Sequence, residues 1–285
     1  MNKILILLLV VSLNLNADVI SDGLDEIKRG NFQQANMLWN KACKNRNMLA
    51  CFNLGLLYDK GEGVVQNKDK AIKLYEQSCK GEYMYACTLL GYMNINGDGT
   101  QIDKHKAKNY YTKACNGGDN IACHNLARMY FLGNGVEENK LKAKELYTQA
   151  CRDGISISCY FIGGMYYNGD SVIQDKQKAV NIWEKACSIG DSNSCNDLAH
   201  MFFEGNVVKK DKNKGRTYLT KACDGEIVQA CYNLGYLYFY GKGVKQDMLK
   251  AKLLFEKACK GGDENACQAY KEASIKFRNL TKSSH

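Results

Sequence analysis

The chain has 285 residues, a formal net charge of +9, fourteen cysteines and no proline. Its lysines and arginines are spread along the whole sequence, without a basic tract or a nucleic-acid-binding motif. This argues against a nucleic-acid partner and leaves a basic face for other anionic partners as the alternative. The length is sufficient for more than one ordinary domain, but an internal period predicts one extended array instead.

The first seventeen residues are organised like a secretory signal peptide. Lys3 gives a basic start, residues 4–13 form an apolar run, and Ala17 is a small residue before Asp18. A membrane anchor is the alternative, but the run is shorter than the roughly 20 residues that cross a bilayer. We therefore predict a signal peptide over 1–17, a secreted or periplasmic protein, and no membrane insertion.

Residues 18–30 are predicted to form a capping helix, and residues 271–285 the end of the last helix and a tail. Between them, residues 31–270 comprise seven repeats of 36 residues, the spacing from Cys43 to Cys79. Every cysteine lies in one of two columns. The first column contains Cys43, Cys79, Cys115, Cys151, Cys187, Cys223 and Cys259, and the second contains Cys51, Cys87, Cys123, Cys159, Cys195, Cys231 and Cys267.

Each repeat is predicted to contain two helices. A column of Asn or Asp is typical of a helix N-cap, whose side-chain oxygen accepts an amide proton of the first turn. This column contains Asn67, Asp103, Asn139, Asp175, Asp211 and Asp247. The helix of about 13 residues that follows ends at a tight turn such as Gly118-Asp119, where Gly can adopt the left-handed conformation and Asp can cap the next helix. The second helix carries the pattern A-C-x-N-L-A/G-x-M-Y, as in residues 122–130.

Three further columns predict how the helices pack. A column of small residues begins at Gly55, and because a mid-helix Gly costs about 1 kcal/mol relative to Ala, its recurrence indicates close helix packing. Two aromatic columns, beginning at Trp39 and Tyr58, are predicted to pack between repeats; a ligand box is the alternative. Since one hairpin buries too little core to fold alone, the predicted fold is an all-α solenoid of antiparallel helix pairs.

Two disulfide registers preserve the symmetry of the repeats. Pairing Cys51 with Cys79 across repeats leaves Cys43 and Cys267 without partners, whereas pairing Cys43 with Cys51 within each hairpin leaves none. The local register also joins two antiparallel helices across a tight turn, where side chains come within disulfide range. We predict the local register, hence one disulfide per repeat and an oxidising compartment.

A metal site is the other common use of paired cysteines. Structural zinc sites typically use closer cysteine pairs, often with histidines. The four histidines of this chain fall in different columns; they are His105, His124, His200 and His285. We predict no metal site and no cofactor.

The repeat pattern A-x-x-L-G-x-x-Y-x-x-G-x-G-V followed by D-K-x-K-A-x-x-x-Y-x-K-A-C resembles the Sel-like repeat, a relative of the tetratricopeptide repeat. With C-x7-C in every unit, the chain resembles more specifically the Helicobacter cysteine-rich protein family. The resemblance covers 31–270, although 169–172 and 205–208 lack the second loop glycine. It implies a right-handed α-solenoid of an exported protein, and an activity as a penicillin-binding protein or weak β-lactamase.

The first of two candidate functions is a binding scaffold. Two columns four residues apart on the second helix of each repeat vary freely and share one helix face. In the related tetratricopeptide architecture this helix lines the concave surface, so the columns predict a ligand-facing stripe for a protein, a peptide or a cell-wall-derived ligand. Solvated surface without a special role is the alternative. The stripe comprises Phe52, Leu56, Tyr92, His124, Arg128, Tyr160, His200, Tyr232 and Tyr236.

The second candidate is a β-lactam hydrolase, as the resemblance implies. A serine enzyme of this kind usually shows S-x-x-K followed by K-T-G, and a metal enzyme shows clustered histidines. Neither pattern occurs in the sequence. No catalytic residue is therefore assigned, and the enzyme question stays open. The expected assembly state is a monomer.

Overall fold

The computed structural model describes residues 19–282, and all regular secondary structure in this range is helical. The predicted signal peptide over 1–17 lies outside the described residues. The helices are α1 (19–28), α2 (Phe32–Lys44), α3 (Met48–Lys60), α4 (Lys68–Lys80), α5 (Met84–Asn96), α6 (Lys104–Asn116), α7 (Asn120–Leu132), α8 (Lys140–Arg152), α9 (Ser156–Asn168), α10 (Lys176–Ser188), α11 (Ser192–Glu204), α12 (Lys212–Asp224), α13 (Val228–Tyr240), α14 (Met248–Lys260) and α15 (Glu264–Lys282).

The helices alternate between two kinds. We call the odd-numbered helices from α3 to α15 the A helices and the even-numbered helices from α2 to α14 the B helices. The predicted caps of the B helices are present: the Asn67 side chain accepts from the Lys70 amide at 2.8 Å, and Asp103 accepts from the Lys106 amide at 2.9 Å. A helices end at a left-handed glycine such as Gly61, with φ of 76°. The all-α repeat fold predicted from the sequence is confirmed.

The helices form two compact units, with the boundary between Leu146 and Tyr147. In the first unit, Trp39, Leu54 and Leu57 belong to one buried apolar cluster. In the second unit, a larger cluster contains Trp183 and Leu219 among its members. Each core lies between A and B helices of successive hairpins, where the small and aromatic columns meet.

The column of small residues exists because a large side chain of the next B helix occupies the space. A Cβ at Gly55 would lie 2.5 Å from the ring of Tyr75, which is fully buried. A Cβ at Gly163 would lie 2.4 Å from Nε1 of Trp183. The predicted close packing is therefore confirmed, and the aromatic column that begins at Trp39 is core.

The tyrosines of the second aromatic column are half-buried and are covered by lysines of the following B helix. Nζ of Lys70 lies 3.9 Å from the ring centroid of Tyr58 and donates to its hydroxyl at 2.6 Å. Lys250 covers Tyr238 in the same way at 4.3 Å. Cation–π contacts of this kind stabilise partly exposed rings, so these tyrosines hold one helix to the next rather than forming an open ligand box.

Seven disulfides join the two cysteine columns in the local register, with Cα–Cα distances between 4.5 and 4.9 Å. The backbone carbonyls of two of these cysteines also accept hydrogen bonds from lysines. Nζ of Lys113 donates to the Cys79 carbonyl at 2.8 Å, and Nζ of Lys257 donates to the Cys223 carbonyl at 2.7 Å. A lysine of one B helix thus binds the negative end of the preceding B helix.

The disulfides suggest an oxidising, extracellular or periplasmic environment. Over residues 19–282, none of the helices combines the length and the apolar character needed to cross a bilayer. Helix α1 lies within the predicted capping segment, and α15 continues to Lys282. The division into cap, repeats and tail stays a prediction.

The two loops that lack the second glycine behave differently. Ser171 has φ of 53°, which is close to the 70° of Gly63 at the same position of the first repeat. Val207, at that position of the next loop, stays outside the left-handed region. A serine tolerates this conformation at a cost, whereas a β-branched valine strongly disfavours it, so only the second loop changes its backbone.

Candidate functional site

The predicted stripe divides into two columns with different surroundings. The inner column faces the next repeat and contains Phe52, Thr88, His124, Tyr160, Asn196 and Tyr232. The outer column faces solvent more openly and contains Leu56, Tyr92, Arg128, Gly164, His200 and Tyr236. Sequence spacing placed both columns on one helix face but could not separate them.

Inner-column side chains make contacts between repeats. The side chain of Phe52 is only 5% exposed, and its ring packs against Tyr83 and Tyr85 at centroid distances of 5.2 and 5.4 Å. Oγ1 of Thr88 donates to Asp119 at 2.7 Å. The expectation that Phe52 faces a ligand is therefore corrected: variation in this column reflects different packing partners from repeat to repeat.

The outer column lines a cleft of about 190 Å³ in the first unit. We call it the α5–α7 cleft. Its lining residues are Tyr92, Ile95, Asn96, Tyr111, Asn125, Arg128, Met129 and Asn134. Tyr92 is 55% exposed and Arg128 is also exposed, so both side chains are presented to solvent. Of these residues the sequence identified only Tyr92 and Arg128 as site candidates. Asn125 belongs to the repeated pattern of the second helix, and that pattern gave no sign that it lines a cleft.

The charge of the α5–α7 cleft comes from Arg128. Its guanidinium forms no ion pair with a carboxylate of the described residues. Burial raises the pKa of the Tyr111 hydroxyl to about 12, so this group stays protonated and can donate a hydrogen bond. The cleft therefore offers one cation, the hydroxyls of Tyr92 and Tyr111, and three amide side chains.

His124 is a packing residue at neutral pH. Burial first, and the nearby Arg128 charge second, lower the pKa of its imidazole to about 4. The ring is neutral at physiological pH, and the sequence-based expectation of a ligand-facing histidine applies better to the exposed His200.

Three large apolar side chains on the same two helices are also exposed. Tyr85 on α5, and Ile121 and Leu132 on α7, are each about half exposed. Single exposed apolar residues are ordinary, but three on adjacent A helices beside a polar cleft resemble the composition of a protein-binding surface.

The second unit carries a different set of residues at the corresponding positions, two repeats later. Gly164 corresponds to Tyr92, Asp197 to Asn125, and His200 to Arg128. Asp197 lies close to Tyr160, and burial raises the pKa of its carboxyl. We call the space bounded by Tyr160, Gly164, Asp197 and His200 the α9–α11 gap.

Among the described residues, no group of three or more His, Cys, Asp or Glu is placed to hold a metal ion, and no cysteine is free. The β-lactamase activity stays an expectation of the resemblance alone, because the geometry assigns it no residue.

Seven segments of the chain match the family model described as Sel1 repeat. They cover residues 17–47, 49–83, 85–119, 120–155, 156–191, 192–226 and 228–263. From the second segment on, each segment pairs an A helix with the B helix that follows. The segments therefore divide the chain between Cys43 and Cys51, and each of the first six disulfides joins one segment to the next.

Two solved structures, from Oxalobacter formigenes and Escherichia coli, show the same fold. A Sel1 repeat protein from Oxalobacter formigenes has a TM-score of 0.77 and 26% identity, over 85% of this chain and 99% of that chain. A protective antigen of uropathogenic Escherichia coli has a TM-score of 0.73 and 24% identity, over 94% of this chain but only 58% of that chain. Helicobacter pylori cysteine-rich protein B is 32% identical over 46% of this chain and 96% of that chain, with a TM-score of 0.39. No curated protein matches the chain.

Proposed function

Because this chain belongs to the Sel1 repeat family and carries one disulfide per repeat, we propose that it is an exported scaffold that binds an extended peptide or protein segment. The binding surface is the solvent-facing side of its A helices, with the α5–α7 cleft as the main contact in the first unit. Export is supported by the signal-like sequence over 1–17 and by the seven disulfides.

The single observation that carries the proposal is the exposed Arg128, without a carboxylate partner among the described residues, inside a cleft lined by asparagines. A guanidinium presents a planar set of N–H donors that fits a carboxylate. Asparagine carries both a donor and an acceptor, so it matches the N–H and C=O of a peptide backbone. We assign Arg128 to a carboxylate of the peptide and Asn96, Asn125 and Asn134 to its backbone.

Packing and rigidity support the same assignment. Tyr92 presents an exposed ring with few rotatable bonds, and aromatic and arginine side chains dominate the binding energy of many interfaces. The disulfides and the stacked B helices fix the surface in advance, so little ordering of the protein is needed on binding. Around the cleft, Tyr85, Ile121 and Leu132 give apolar contact area for the flanking peptide residues.

We expect the oxidised protein to enrich peptides with acidic residues from a displayed library of random dodecapeptides. Arg128→Ala is expected to weaken binding of a selected peptide by about tenfold or more, because a central interface arginine typically contributes over 1 kcal/mol. Fluorescence anisotropy with the labelled peptide measures the change.

The matched control is Arg152→Ala, which removes an exposed arginine of α8 outside the cleft. It is expected to bind like the unmodified protein. Equal affinity of the Arg128→Ala protein, or no enrichment of any peptide, would contradict the proposed function.

A further inference from the structure

Two consecutive glycines lie in the middle of α9, and only one of them is explained by packing. A Cβ at Gly163 would collide with Trp183, whereas a Cβ at Gly164 would meet no atom within 4 Å. Gly164 also does not need the left-handed conformation, since it lies in regular helix. A glycine at such a position weakens the helix without any benefit to the folded chain itself. The missing side chain leaves space on the outer column, where other repeats carry leucine, tyrosine, arginine or histidine.

The space beside Gly164 has a fixed aromatic wall. Tyr160 lies one helical turn before Gly164 on the same face. Its ring stacks on Trp183 at a centroid distance of 6.2 Å, and Nε1 of Trp183 donates to the Tyr160 carbonyl at 3.0 Å. The wall is therefore held in place before any ligand arrives.

The opposite side of the gap, on α11, is acidic. Asp197 lies close to Tyr160, and Asp191 lies near enough to affect its pKa. The one basic group that affects this carboxyl is His200. On α10, Nζ of Lys176 lies 5.2 Å from the ring centroid of Tyr167. A carboxylate beside an aromatic wall is complementary to a cation on an apolar stem.

We propose that the α9–α11 gap receives a lysine or arginine side chain of the bound peptide, whose stem packs on Tyr160 beside Gly164 and whose charged end pairs with Asp197. The proposal rests on the proposed function, since it names one side chain of a peptide bound along the A helices. An apolar side chain would fill the same space but would desolvate the carboxylate further without supplying a positive charge, which charge complementarity disfavours.

The experiment selects peptides from the random dodecapeptide library on the unmodified protein and on three variants. Gly164→Leu fills the gap, Gly164→Ala adds only a methyl group, and Asp197→Asn keeps the shape but removes the charge. The control, Asn181→Leu, adds an exposed leucine on α10 away from the gap. Thermal unfolding of each protein shows whether it is folded.

We expect lysine or arginine enrichment with the unmodified protein, the Gly164→Ala variant and the control. Gly164→Leu and Asp197→Asn are expected to return basic residues to their frequency in the library and to weaken a selected basic peptide by about tenfold or more. Unchanged basic enrichment in both of these folded variants overturns the inference while leaving the proposed function standing. Failure of the unmodified protein to enrich any peptide overturns both.

Discussion

In the first unit, Tyr92, Asn125 and Arg128 form a cleft whose charge is positive. Two repeats later, in the second unit, Gly164, Asp197 and His200 occupy the same positions and form a gap that carries a half-buried carboxyl. The large side chain beneath each site is buried in both, as Tyr111 and Trp183. Repeats of this kind thus keep their stacking residues constant while the outer column changes in size and charge, so each repeat can contribute a different contact.

The largest expected difference concerns one disulfide from each unit. Both cysteines of Cys115–Cys123 are buried, whereas both of Cys259–Cys267 are half-buried. We expect a mild thiol reductant to open Cys259–Cys267 before Cys115–Cys123, because exchange requires access to the sulfur. Replacing either pair with alanines is expected to lower the free energy of unfolding by about 2.5 kcal/mol, the entropic effect of so short a loop.

Alkylation followed by mass mapping at successive times gives the order of opening, and denaturant unfolding gives the free energies. Simultaneous opening of the two bridges would show that the units do not differ in this respect.

The second expected difference is the direction in which a glycine-to-alanine substitution changes the stability. Gly55→Ala in the first unit is expected to destabilise by about 1–3 kcal/mol, since the new methyl group would press on the buried ring of Tyr75. Gly164→Ala in the second unit is expected to stabilise by about 1 kcal/mol, because the methyl group enters open space and alanine favours the helix. The two changes are chemically identical, so each is the control of the other. A shift of both melting temperatures in the same direction would contradict the packing described for Gly55 or the gap described for Gly164.

The smallest expected difference depends on pH. The pKa of His124 is lowered in the folded protein from 6.5 to about 4, so the unfolded chain takes up a proton first as the pH falls. Above about pH 6.5 the protonation of His124 does not affect the free energy of unfolding. As the pH falls from 6.5 towards 4, it lowers the free energy of unfolding progressively. His124→Gln is expected to reduce this loss, whereas His200→Gln, at an exposed position of the second unit, is the control. The test is to measure melting temperatures of the unmodified protein and the two variants from pH 7 to pH 4. Parallel curves would refute the assignment of this pH dependence to His124.

Much of the fold was predictable because the constant columns carry local chemistry. Asn67 and Asp103 cap helices through contacts three residues away, and Cys43 reaches Cys51 across one turn. Such short-range constraints recur in every repeat, so one sequence supplies several independent examples of each. The Sel-like resemblance adds the packing order of the helices.

The candidate site was predictable only in part. Spacing of four residues places Phe52 and Leu56 on one face, but it does not show that Phe52 turns towards Tyr83 and Tyr85 of the next repeat. Tyr160 and Asp197 lie close together on different helices, and this proximity has no local signal in the sequence. The sequence did distinguish Gly164. The column of small residues accounts for Gly163, but no column of the repeat accounts for a second glycine beside it.

The position of the disulfides determines how the chain responds to cleavage by proteases. A cut in the short turn between Cys43 and Cys51 leaves the two fragments covalently joined. A cut in a glycine loop, such as residues 61–67 between Cys51 and Cys79, has no bridge across it and can release a fragment. Nicked molecules should therefore run at full length on a non-reducing gel when the turns are cut, and as a ladder of whole repeats when the loops are cut.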